Sequence, residues 1–234
     1  MDLESQKRAA AEAAIVEVKD GMRLGLGTGS TAKYFVDLVG ELVAGGLNCL
    51  CVATSEATAA RARARGIPLS DLDTIDRLDL VVDGADELDP DLNLIKGGGA
   101  ALLREKIVAV ASDRMVVIAD SSKDVAVLGR FPLSIEVNRF GLAPTRRELL
   151  EVMHTFGAQG GLVLRSGPTG APLITDGGHL ILDASFGRIS APEALSDALL
   201  AVPGVVEHGL FLNICATAYI GGPDGVKRRD RPAR

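Results

Sequence analysis

The stretch MRLGLGTGST, residues 22–31, joins a short apolar strand to a glycine-rich turn, and a helical pattern follows it to about Ala44. A strand, a turn and a helix in this order open a βαβ unit. The strands are apolar on both faces, so we expect an α/β fold in which helices cover both faces of a parallel sheet. The same alternation continues along the chain, with strands predicted over Asn48–Ala53, Leu78–Val82 and Met115–Ala119 and helices over residues 5–19, Ala57–Arg65 and Ala100–Ala111.

The pattern changes after about Arg130, where prolines separate shorter strands. We expect a smaller α+β unit over residues 131–204, and a first unit formed by residues 1–130 together with 205–234. Val205–Ile220 is apolar and glycine-rich, which predicts a return to the first sheet, whereas the basic end KRRDRPAR is expected to be frayed. The predicted elements of the small unit are strands over Ile135–Val137, Leu162–Leu164 and Leu180–Leu182 and helices over residues 145–156 and 191–201.

Composition excludes several classes of protein. Of the 234 residues, 47% are hydrophobic and 24% are charged, which is typical of a globular protein. No apolar run approaches the roughly 18 residues that a membrane span requires, and the polar N-terminus is not expected to be a secretory signal. The last eight residues hold five basic groups and one acidic group, so the other 226 carry a net charge of −10. An acidic body with few aromatic residues is not expected to bind nucleic acid or a membrane.

Cysteine and histidine give no sign of a disulfide framework or a metal site. Cys49, Cys51 and Cys215 are too few for a framework and lack zinc-ligand spacing, so we expect buried thiols in a reducing cytoplasm. The three histidines are isolated in the sequence, which favours structural or surface roles over metal ligation. We therefore expect neither a metal nor a cofactor. The histidines are His154, His179 and His208.

Three polar clusters follow predicted strands, and ligands of a parallel α/β sheet bind beyond the carboxyl ends of its strands. The first cluster is Gly25–Thr31. Its glycines allow close approach of an anion, and the free N–H groups of the following helix and the hydroxyls of Thr28, Ser30 and Thr31 are suited to a phosphate. A tight turn with a Ser or Thr N-cap explains the same residues equally well. A dinucleotide fingerprint is disfavoured because Ser30 stands where a third glycine is needed, and no Walker lysine follows.

The second cluster, Asp83-Gly84-Ala85-Asp86-Glu87, places three carboxylates within five residues. Carboxylates that repel one another at a strand end suit proton transfer or hydroxyl binding, although a solvated acidic loop remains an alternative.

The third cluster is Lys96-Gly97-Gly98-Gly99, followed by a helix that carries Glu105. Three glycines in a row imply close approach of the backbone to another group. Apolar neighbours surround Glu105 on the helix, so partial burial would raise its pKa towards that of a general base. An exposed glutamate paired with a basic neighbour is the alternative. Lys123 follows the next strand and adds a cation to the same rim, unless it is merely solvated.

The segments GLGTGST, VDGADE, IKGGGAALLREK and ADSSK, in this order, resemble the type A ribose-5-phosphate isomerase family, as does GGPDGV near the C-terminus. The resemblance covers nearly the whole chain. It implies a Rossmann-like domain with a small inserted ferredoxin-like α+β domain, a homodimer or homotetramer, and cofactor-free interconversion of D-ribose 5-phosphate and D-ribulose 5-phosphate. The segment NICATAYI, residues 213–220, departs from the family pattern because it lacks an acidic residue, which puts subunit or domain contacts in doubt.

The resemblance also implies roles for individual residues. Glu105 corresponds to the family's proton acceptor. From the chemistry of the groups present, Lys96 is a candidate to stabilise negative charge on the sugar oxygens, and Asp83 is a candidate to assist ring opening or to transfer a hydroxyl proton. Asp86 is expected to hold hydroxyls and orient Lys96. The implied substrate-binding residues are Lys7, Thr28, Gly29, Ser30, Thr31, Asp83, Gly84, Ala85, Asp86, Lys96, Gly97, Gly98, Gly99 and Lys123.

Two other functions are weaker alternatives. A sugar-phosphate sensor of a repressor would require a helix-turn-helix, for which residues 1–22 are too short, and would not need Asp83 and Glu105. A nucleotide-dependent dehydrogenase would use Glu56 for a ribose hydroxyl, but this hypothesis leaves Lys96–Gly99 and Glu105 unexplained. An isomerase that transfers a hydride would need a metal, for which the sequence offers no ligand set.

Overall fold

A computed structural model describes residues 1–232, in which six α-helices and thirteen strands are found. No helix of this part of the chain is long and apolar enough to cross a membrane. The helices are α1 (Leu3–Ala14), α2 (Ala32–Ala44), α3 (Glu56–Ala64), α4 (Leu102–Val110), α5 (Leu142–Thr155) and α6 (Pro192–Leu200). The strands are β1 (Met22–Leu26), β2 (Cys49–Ala53), β3 (Leu80–Asp83), β4 (Glu87–Leu88), β5 (Leu94–Ile95), β6 (Met115–Asp120), β7 (Leu133–Val137), β8 (Leu162–Leu164), β9 (Leu180–Ala184), β10 (Val205–His208), β11 (Leu210–Phe211), β12 (Cys215–Gly222) and β13 (Gly225–Asp230).

The main sheet has the order β13-β12-β6-β3-β1-β2 and is parallel except for the edge strand β13. Successive side chains of its central strands point alternately into two apolar layers. Leu80 and Val82 of β3 belong to the core on the side of α1, α2 and α3, whereas Val81 packs with Val108 of α4 on the other side. Since both faces are covered, the strand interiors are apolar in every direction. The predicted Rossmann-like α/β architecture is confirmed.

The first helix is shorter than the predicted 5–19. Asp2 caps α1 by accepting a hydrogen bond from the Ser5 N–H at 2.8 Å, which fixes the start of the helix. After Ala14 the chain tightens into a short 3₁₀ turn over Ile15–Glu17. The buried alanines on one face of α1 allow this helix to pack closely against β6 and β12.

The second sheet has the order β10-β7-β9-β8 and is antiparallel throughout. Its chain order, β7-α5-β8-β9-α6-β10, is the ferredoxin-like arrangement that the resemblance implied. Val205–His208 was expected to return to the main sheet, and this is wrong because β10 pairs with β7. The short turn after α6 leaves β10 beside the sheet that α6 covers, so the return begins only at Cys215. The division of the chain into two domains stays a prediction.

The expectation of a frayed basic tail is also wrong for the residues that the structure describes. Gly225–Asp230 pairs with β12 over six positions. Arg229 donates two hydrogen bonds to the carboxylate of Asp124, at 2.9 and 2.7 Å, and Arg231 donates to the carbonyl oxygens of Cys215 and Leu92. Charged residues suit an edge strand because they discourage pairing with another chain. Local composition indicated disorder, but the tail forms a hairpin with the preceding strand β12, and its arginines contact residues far along the chain.

Of the three free cysteines, Cys51 and Cys215 are buried as expected, whereas Cys49 is partly exposed.

A third, three-stranded sheet of order β11-β5-β4 was not predicted, because each of its strands is only two residues long. It is antiparallel and turns the chain back after Glu87. The Lys96 N–H donates to the Gly209 carbonyl at 2.8 Å just beyond this sheet, which fixes the backbone on which Lys96 stands.

The paired tail leads to a test of stability. Because Arg229 is 17% exposed and forms a two-pronged contact with Asp124, we expect Arg229→Ala to lower the free energy of unfolding by about 1 kcal/mol. Arg228→Ala is the matched control, since Arg228 pairs with Asp230 at the exposed surface of the same strand, and it is expected to change the free energy of unfolding much less than Arg229→Ala does. Urea denaturation measures both. Equal losses in the two variants would contradict the anchoring role of Arg229.

Candidate active site

A cleft of about 280 Å³ lies beyond the carboxyl ends of β1, β3 and β5. For β1 and β3 of the main sheet this is the edge at which ligands of a parallel sheet bind, whereas β5 belongs to the small third sheet. The cleft brings together residues from all three polar clusters of the sequence. Its lining is Thr28, Gly29, Ser30, Thr31, Gly84, Ala85, Asp86, Lys96, Gly97, Gly98, Gly99, Glu105 and Lys123.

One wall of the cleft is the turn between β1 and α2. The backbone N–H groups of Gly29, Ser30 and Thr31 have no hydrogen-bond partner within residues 1–232. They precede α2, which has no side-chain cap, so the N-terminal dipole of this helix adds to their positive potential. Free N–H groups at a helix N-terminus are an arrangement that suits an anion such as a phosphate.

The turn is fixed from below by hydroxyl groups and by Asp83. The Thr28 hydroxyl lies 2.7, 2.8 and 3.0 Å from the hydroxyls of Thr54, Ser55 and Thr58. The Thr28 N–H donates to Asp83 Oδ1 at 3.0 Å. Thr28 is thus held by the three hydroxyls and by Asp83, and residues 29–31 remain available to a ligand.

Asp83 approaches the turn so closely that only glycine fits at position 27. A Cβ atom on Gly27 would lie 2.1 Å from Asp83 Oδ1, well inside van der Waals contact. Asp83 Oδ1 also accepts the N–H of Gly84 at 2.7 Å. The strand-end carboxylate is therefore locked by two backbone donors, while its Oδ2 atom points to Lys96.

The centre of the site is an ion cluster of Lys96, Asp83 and Glu105. The Lys96 Nζ atom lies 3.0 Å from Asp83 Oδ2 and 3.3 Å from Glu105 Oε1, and donates to the Gly84 carbonyl at 2.6 Å. All three side chains are at least 96% buried. Three charged groups this far from water interact strongly, because little solvent screens them.

Burial and charge set the protonation of the cluster. Burial, followed by the neighbouring Asp83 carboxylate, raises the pKa of Glu105 to about 8. Burial also raises the pKa of Asp83, against the opposing effect of Lys96. Burial disfavours the charged form of Lys96, but Asp83 and Glu105 outweigh it and raise the pKa of the ammonium. Lys96 thus stays cationic, and Glu105 is a carboxyl group that exchanges its proton near neutral pH.

Glu105 has one oxygen available for this exchange. Its Oε1 atom contacts Lys96, whereas its buried Oε2 atom has no hydrogen-bond partner within residues 1–232. Glu105 stands in the first turn of α4 and lines the cleft. A buried polar atom without a partner is rare and often marks a functional group.

The glycine loop Gly97–Gly99 forms the opposite wall. Gly97 has φ +113°, a conformation that favours glycine, and a Cβ atom on Gly98 would lie 2.6 Å from Asp86 Oδ1. Asp86 Oδ2 accepts the Gly98 N–H at 2.7 Å. Asp86 therefore holds the loop rather than Lys96, which differs from the expectation that it orients that lysine. The orienting groups are Asp83, Glu105 and Gly84.

Two other predicted participants lie elsewhere. Lys7 is absent from the residues described as lining the cleft, and its ammonium pairs with Glu4 at 2.7 Å. Glu87 is fully buried and accepts the N–H groups of Gly129 and Phe131, each at 2.7 Å, so it holds a loop instead of handling protons. Lys123 does line the cleft, near the aromatic ring of Phe131. Lys7 was assigned by resemblance alone, and Glu87 faces away because successive strand residues alternate in direction.

The residues behind the alternative functions also have structural partners. Glu56, required by the dehydrogenase hypothesis, is exposed and pairs with Arg104 at 2.9 Å. His208 is buried, and burial followed by the charge of Lys106 lowers its pKa to about 3. Within residues 1–232, no group of three or more His, Cys, Asp or Glu side chains is arranged to hold a metal ion.

Sequence reasoning missed one group that contacts the loop. Arg165, which follows β8, donates to the carbonyl oxygens of Gly97 at 2.7 Å and Gly98 at 3.3 Å. It also pairs with Asp183. No local pattern singles out Arg165, since it lies 67 residues from Gly98 along the chain and follows a strand of a different sheet. Only the fold brings these residues together.

Comparison with known proteins agrees with this geometry. The family model described as ribose 5-phosphate isomerase A (phosphoriboisomerase A) matches residues 50–225. The chain is 59% identical over 231 residues to ribose-5-phosphate isomerase A of Nitrobacter hamburgensis, and the match covers 99% of this chain and 100% of the relative.

Solved structures are similar over the whole chain. A D-ribose-5-phosphate isomerase in complex with phospho-erythronic acid has a TM-score of 0.92 at 40% identity, and the match covers 99% of this chain and 100% of the other. The ribose 5-phosphate isomerase of Plasmodium falciparum has a TM-score of 0.91 at 34% identity with the same two coverages.

The buried cluster predicts a pH-dependent stability. The folded-state pKa of Glu105, about 8, exceeds the ordinary value of 4.5, so its protonated form stabilises the fold at low pH and this contribution is lost as the pH rises through about 8. Glu105→Gln cannot ionise. Its melting temperature relative to the parent protein should therefore rise by a few degrees between about pH 5 and about pH 9.

Glu41→Gln, at an exposed position of α2, is the control and should follow the parent protein at every pH. Thermal unfolding followed by circular dichroism across the pH range makes the comparison. A constant difference between Glu105→Gln and the parent protein would contradict the assigned pKa direction.

Proposed function

We propose that the cleft of this chain, which belongs to the ribose 5-phosphate isomerase A family, moves a proton between C2 and C1 of the sugar through an enediolate. The chain is thus an aldose–ketose isomerase that interconverts ribose 5-phosphate and ribulose 5-phosphate in the pentose phosphate pathway. Glu105 is the base of this proposal. The observation that carries it is the buried Glu105 carboxyl, which lines the cleft with an unpartnered Oε2 atom and has a pKa of about 8.

The proton transfer needs one group that acts in both directions. Ionised Glu105 takes the proton from C2 of the open-chain aldose, and the C1 carbonyl oxygen gains negative charge. The C2 hydroxyl proton passes to the C1 oxygen, and the Glu105 carboxyl returns its proton to C1 as the ketone forms at C2. A general base whose pKa lies near the working pH performs both steps well. Its raised pKa makes Glu105 a stronger base than an exposed carboxylate.

Lys96 stabilises the charge that develops on the sugar oxygens. Its ammonium stays protonated, and it lies 3.3 Å from Glu105 Oε1. A fixed positive charge in a site shielded from water stabilises an oxyanion far more than the same charge does in solution. When Glu105 takes up the proton, its hold on Lys96 weakens, which favours interaction of the ammonium with the enediolate.

Asp83 is suited to moving hydroxyl protons, including the one released when the sugar ring opens. Burial raises its pKa, and its Oδ2 atom contacts only Lys96 within the described residues. Asp86 holds the Gly98 N–H with Oδ2, and its position on the cleft wall is suited to the remaining sugar hydroxyls.

The phosphate is placed at the other end of the cleft in this proposal. The N–H groups of Gly29, Ser30 and Thr31, the Ser30 hydroxyl and the Lys123 ammonium supply donors and positive charge there. The relative in complex with phospho-erythronic acid supports this proposal, because that ligand is also a phosphorylated compound. A contribution of Lys7 to phosphate binding would require its ammonium to leave Glu4.

We also propose that the chain is cytoplasmic, that its two sheets form separate domains, and that it acts as a homodimer or homotetramer. The family resemblance supports association. So does Phe140, which is 91% exposed beside a groove of about 520 Å³, because large exposed apolar groups often mark contact surfaces.

Replacing the base tests the reaction. Glu105→Gln is nearly isosteric, so we expect turnover of ribose 5-phosphate to fall by about two to four orders of magnitude, since it removes a general base. Added sugar phosphate should still raise the melting temperature, because the phosphate site is untouched. In deuterated water the parent protein should incorporate solvent deuterium at the transferred position, which distinguishes proton transfer from a hydride shift.

Glu56→Gln is the control for this experiment, because Glu56 is exposed on α3 and pairs with Arg104. It is expected to keep turnover within about twofold, as surface substitutions usually do. Near-normal turnover of Glu105→Gln, or product without solvent deuterium, would refute the proposed mechanism.

The pH profile gives an independent test. In the free enzyme Glu105 must be ionised to act, so kcat/KM should rise about tenfold per pH unit below a midpoint near 8 and then level off. Asp83→Asn removes the negative charge that helps to raise the pKa of Glu105. The midpoint should therefore move to lower pH in this variant, even where its maximal rate is reduced. An unchanged or higher midpoint would contradict the coupling of the two carboxyl groups.

A further inference from the structure

Arg165 has an unusually complete set of partners around the glycine loop. Its Nε atom donates to Asp183 Oδ2 at 2.8 Å, and Nη2 donates to Asp183 Oδ1 and to the Ser134 hydroxyl, the latter at 2.7 Å. Nη1 donates to the carbonyls of Gly97 and Gly98. All five guanidinium N–H donors are thus used, in the fork geometry that only arginine provides.

The partners are held as firmly as Arg165 itself. The Arg165 N–H donates to the Ile181 carbonyl and its own carbonyl accepts from Leu173, so the backbone is fixed on both sides. Ser134 is fully buried in β7, and Asp183 lies in the neighbouring strand β9. The second sheet therefore presents a pre-formed guanidinium to the glycine loop.

The loop that receives it is strained. Gly97 has φ +113° and Ala100 has φ +62°. An alanine with a positive φ costs free energy, so this conformation persists only where the surroundings impose it. The Gly97 carbonyl accepts from the Ala100 N–H at 2.9 Å as well as from Arg165. The guanidinium thus secures the turn that places Ala100 in this conformation.

The position of Glu105 depends on this turn. Helix α4 begins directly after it, and the Glu105 N–H donates to the Ala101 carbonyl at 2.9 Å in the first helical turn. Lys96 precedes the loop and Glu105 follows it, so the loop sets the distance between the ammonium and the carboxyl group. Arg165 is not among the described residues that line the cleft, so it acts through the loop.

We infer that Arg165 of the second sheet is a positioning residue for the isomerisation: it clamps the Gly97 and Gly98 carbonyls, and through them fixes Glu105 relative to Lys96 and the sugar. Asp183 orients the guanidinium in turn. This inference rests on the proposed role of Glu105, and it assigns a function in the reaction to a sheet that lies outside the cleft.

Arg165→Ala tests the inference. A base displaced by about 1 Å loses about 100-fold in rate, so kcat/KM should fall by about that factor per folded molecule. The loosened loop admits water to Glu105, which moves the acid midpoint of the pH profile below that of the parent protein. Guanidinium ion at concentrations too low to unfold the protein should restore part of the activity, because it can re-occupy the vacated site.

Arg146→Ala is the matched control. Arg146 of α5 also ties its element to a backbone carbonyl of the second sheet, that of Leu162 at 2.9 Å, but it is remote from the glycine loop. It should keep kcat/KM within about twofold, keep the midpoint, and not respond to guanidinium. A purely structural role of Arg165 would lower the folded fraction without moving the midpoint or allowing rescue.

Two milder variants cover the case in which Arg165→Ala does not fold. Arg165→Lys keeps the charge but has three donors at one point, and Asp183→Asn weakens the orienting pair, so both should lower kcat/KM and the midpoint in the same direction. Wild-type turnover and midpoint in these folded variants would overturn the inference. If Glu105→Gln stays active, the proposed base itself is refuted; if only the Arg165 and Asp183 variants stay active, the positioning role alone is refuted.

Discussion

The contact on which the rest of the site depends is that of the Lys96 ammonium with Asp83 and Glu105, buried beyond reach of solvent. Two carboxyl groups and one ammonium cannot all be removed from water without a free-energy penalty, and removing the ammonium leaves both carboxyl groups uncompensated. The fold meets this demand with three different elements. Strand β3 supplies Asp83, the short strand β5 leads to Lys96, and α4 supplies Glu105. Burial, followed by the neighbouring Asp83 carboxylate, raises the pKa of Glu105 to about 8, and a carboxyl group that binds its proton this tightly is a strong base once it is ionised.

Close packing around this cluster explains the glycines better than flexibility does. Gly27 and Gly98 are required because Asp83 and Asp86 occupy the space that a Cβ atom would need. In both places a carboxylate accepts a backbone N–H of the adjacent turn, at 3.0 Å for Thr28 and 2.7 Å for Gly98. The carboxylates thus set the shape of both walls of the cleft, and the glycines permit them to come that close.

The main sheet and the cleft were predictable because both depend on short-range patterns. Apolar strands followed by polar turns predict a parallel sheet, and its topology brings the turns after Leu26 and Asp83 to one edge. Pairing with β7, far along the chain, decided the position of β10. β13 forms a hairpin with β12 and is held by arginine contacts to Asp124 and Leu92. Local hydropathy and charge contain no information on these long-range contacts. The same limit applies to Arg165, which acts on a loop 67 residues away. Lys7 was assigned by likeness to a family, although i,i+3 spacing on the same helix makes Glu4 a partner for it.

The chain is acidic, yet its substrate is an anion. The two ends of the cleft supply different kinds of positive charge, which explains how such a chain accepts an anionic substrate. A full cation close to Glu105 lowers the pKa of that group, as Lys96 itself does in opposition to burial. A cluster of lysines beside the base would therefore weaken it. Backbone N–H groups at the start of α2 attract a phosphate through partial charges, whose effect falls off within about one helical turn. In the proposed phosphate site these partial charges are joined by a single ammonium, that of Lys123, whereas the lysine in contact with Glu105 is Lys96. The raised pKa of Glu105 is thus opposed by one contacting ammonium rather than by a cluster of them.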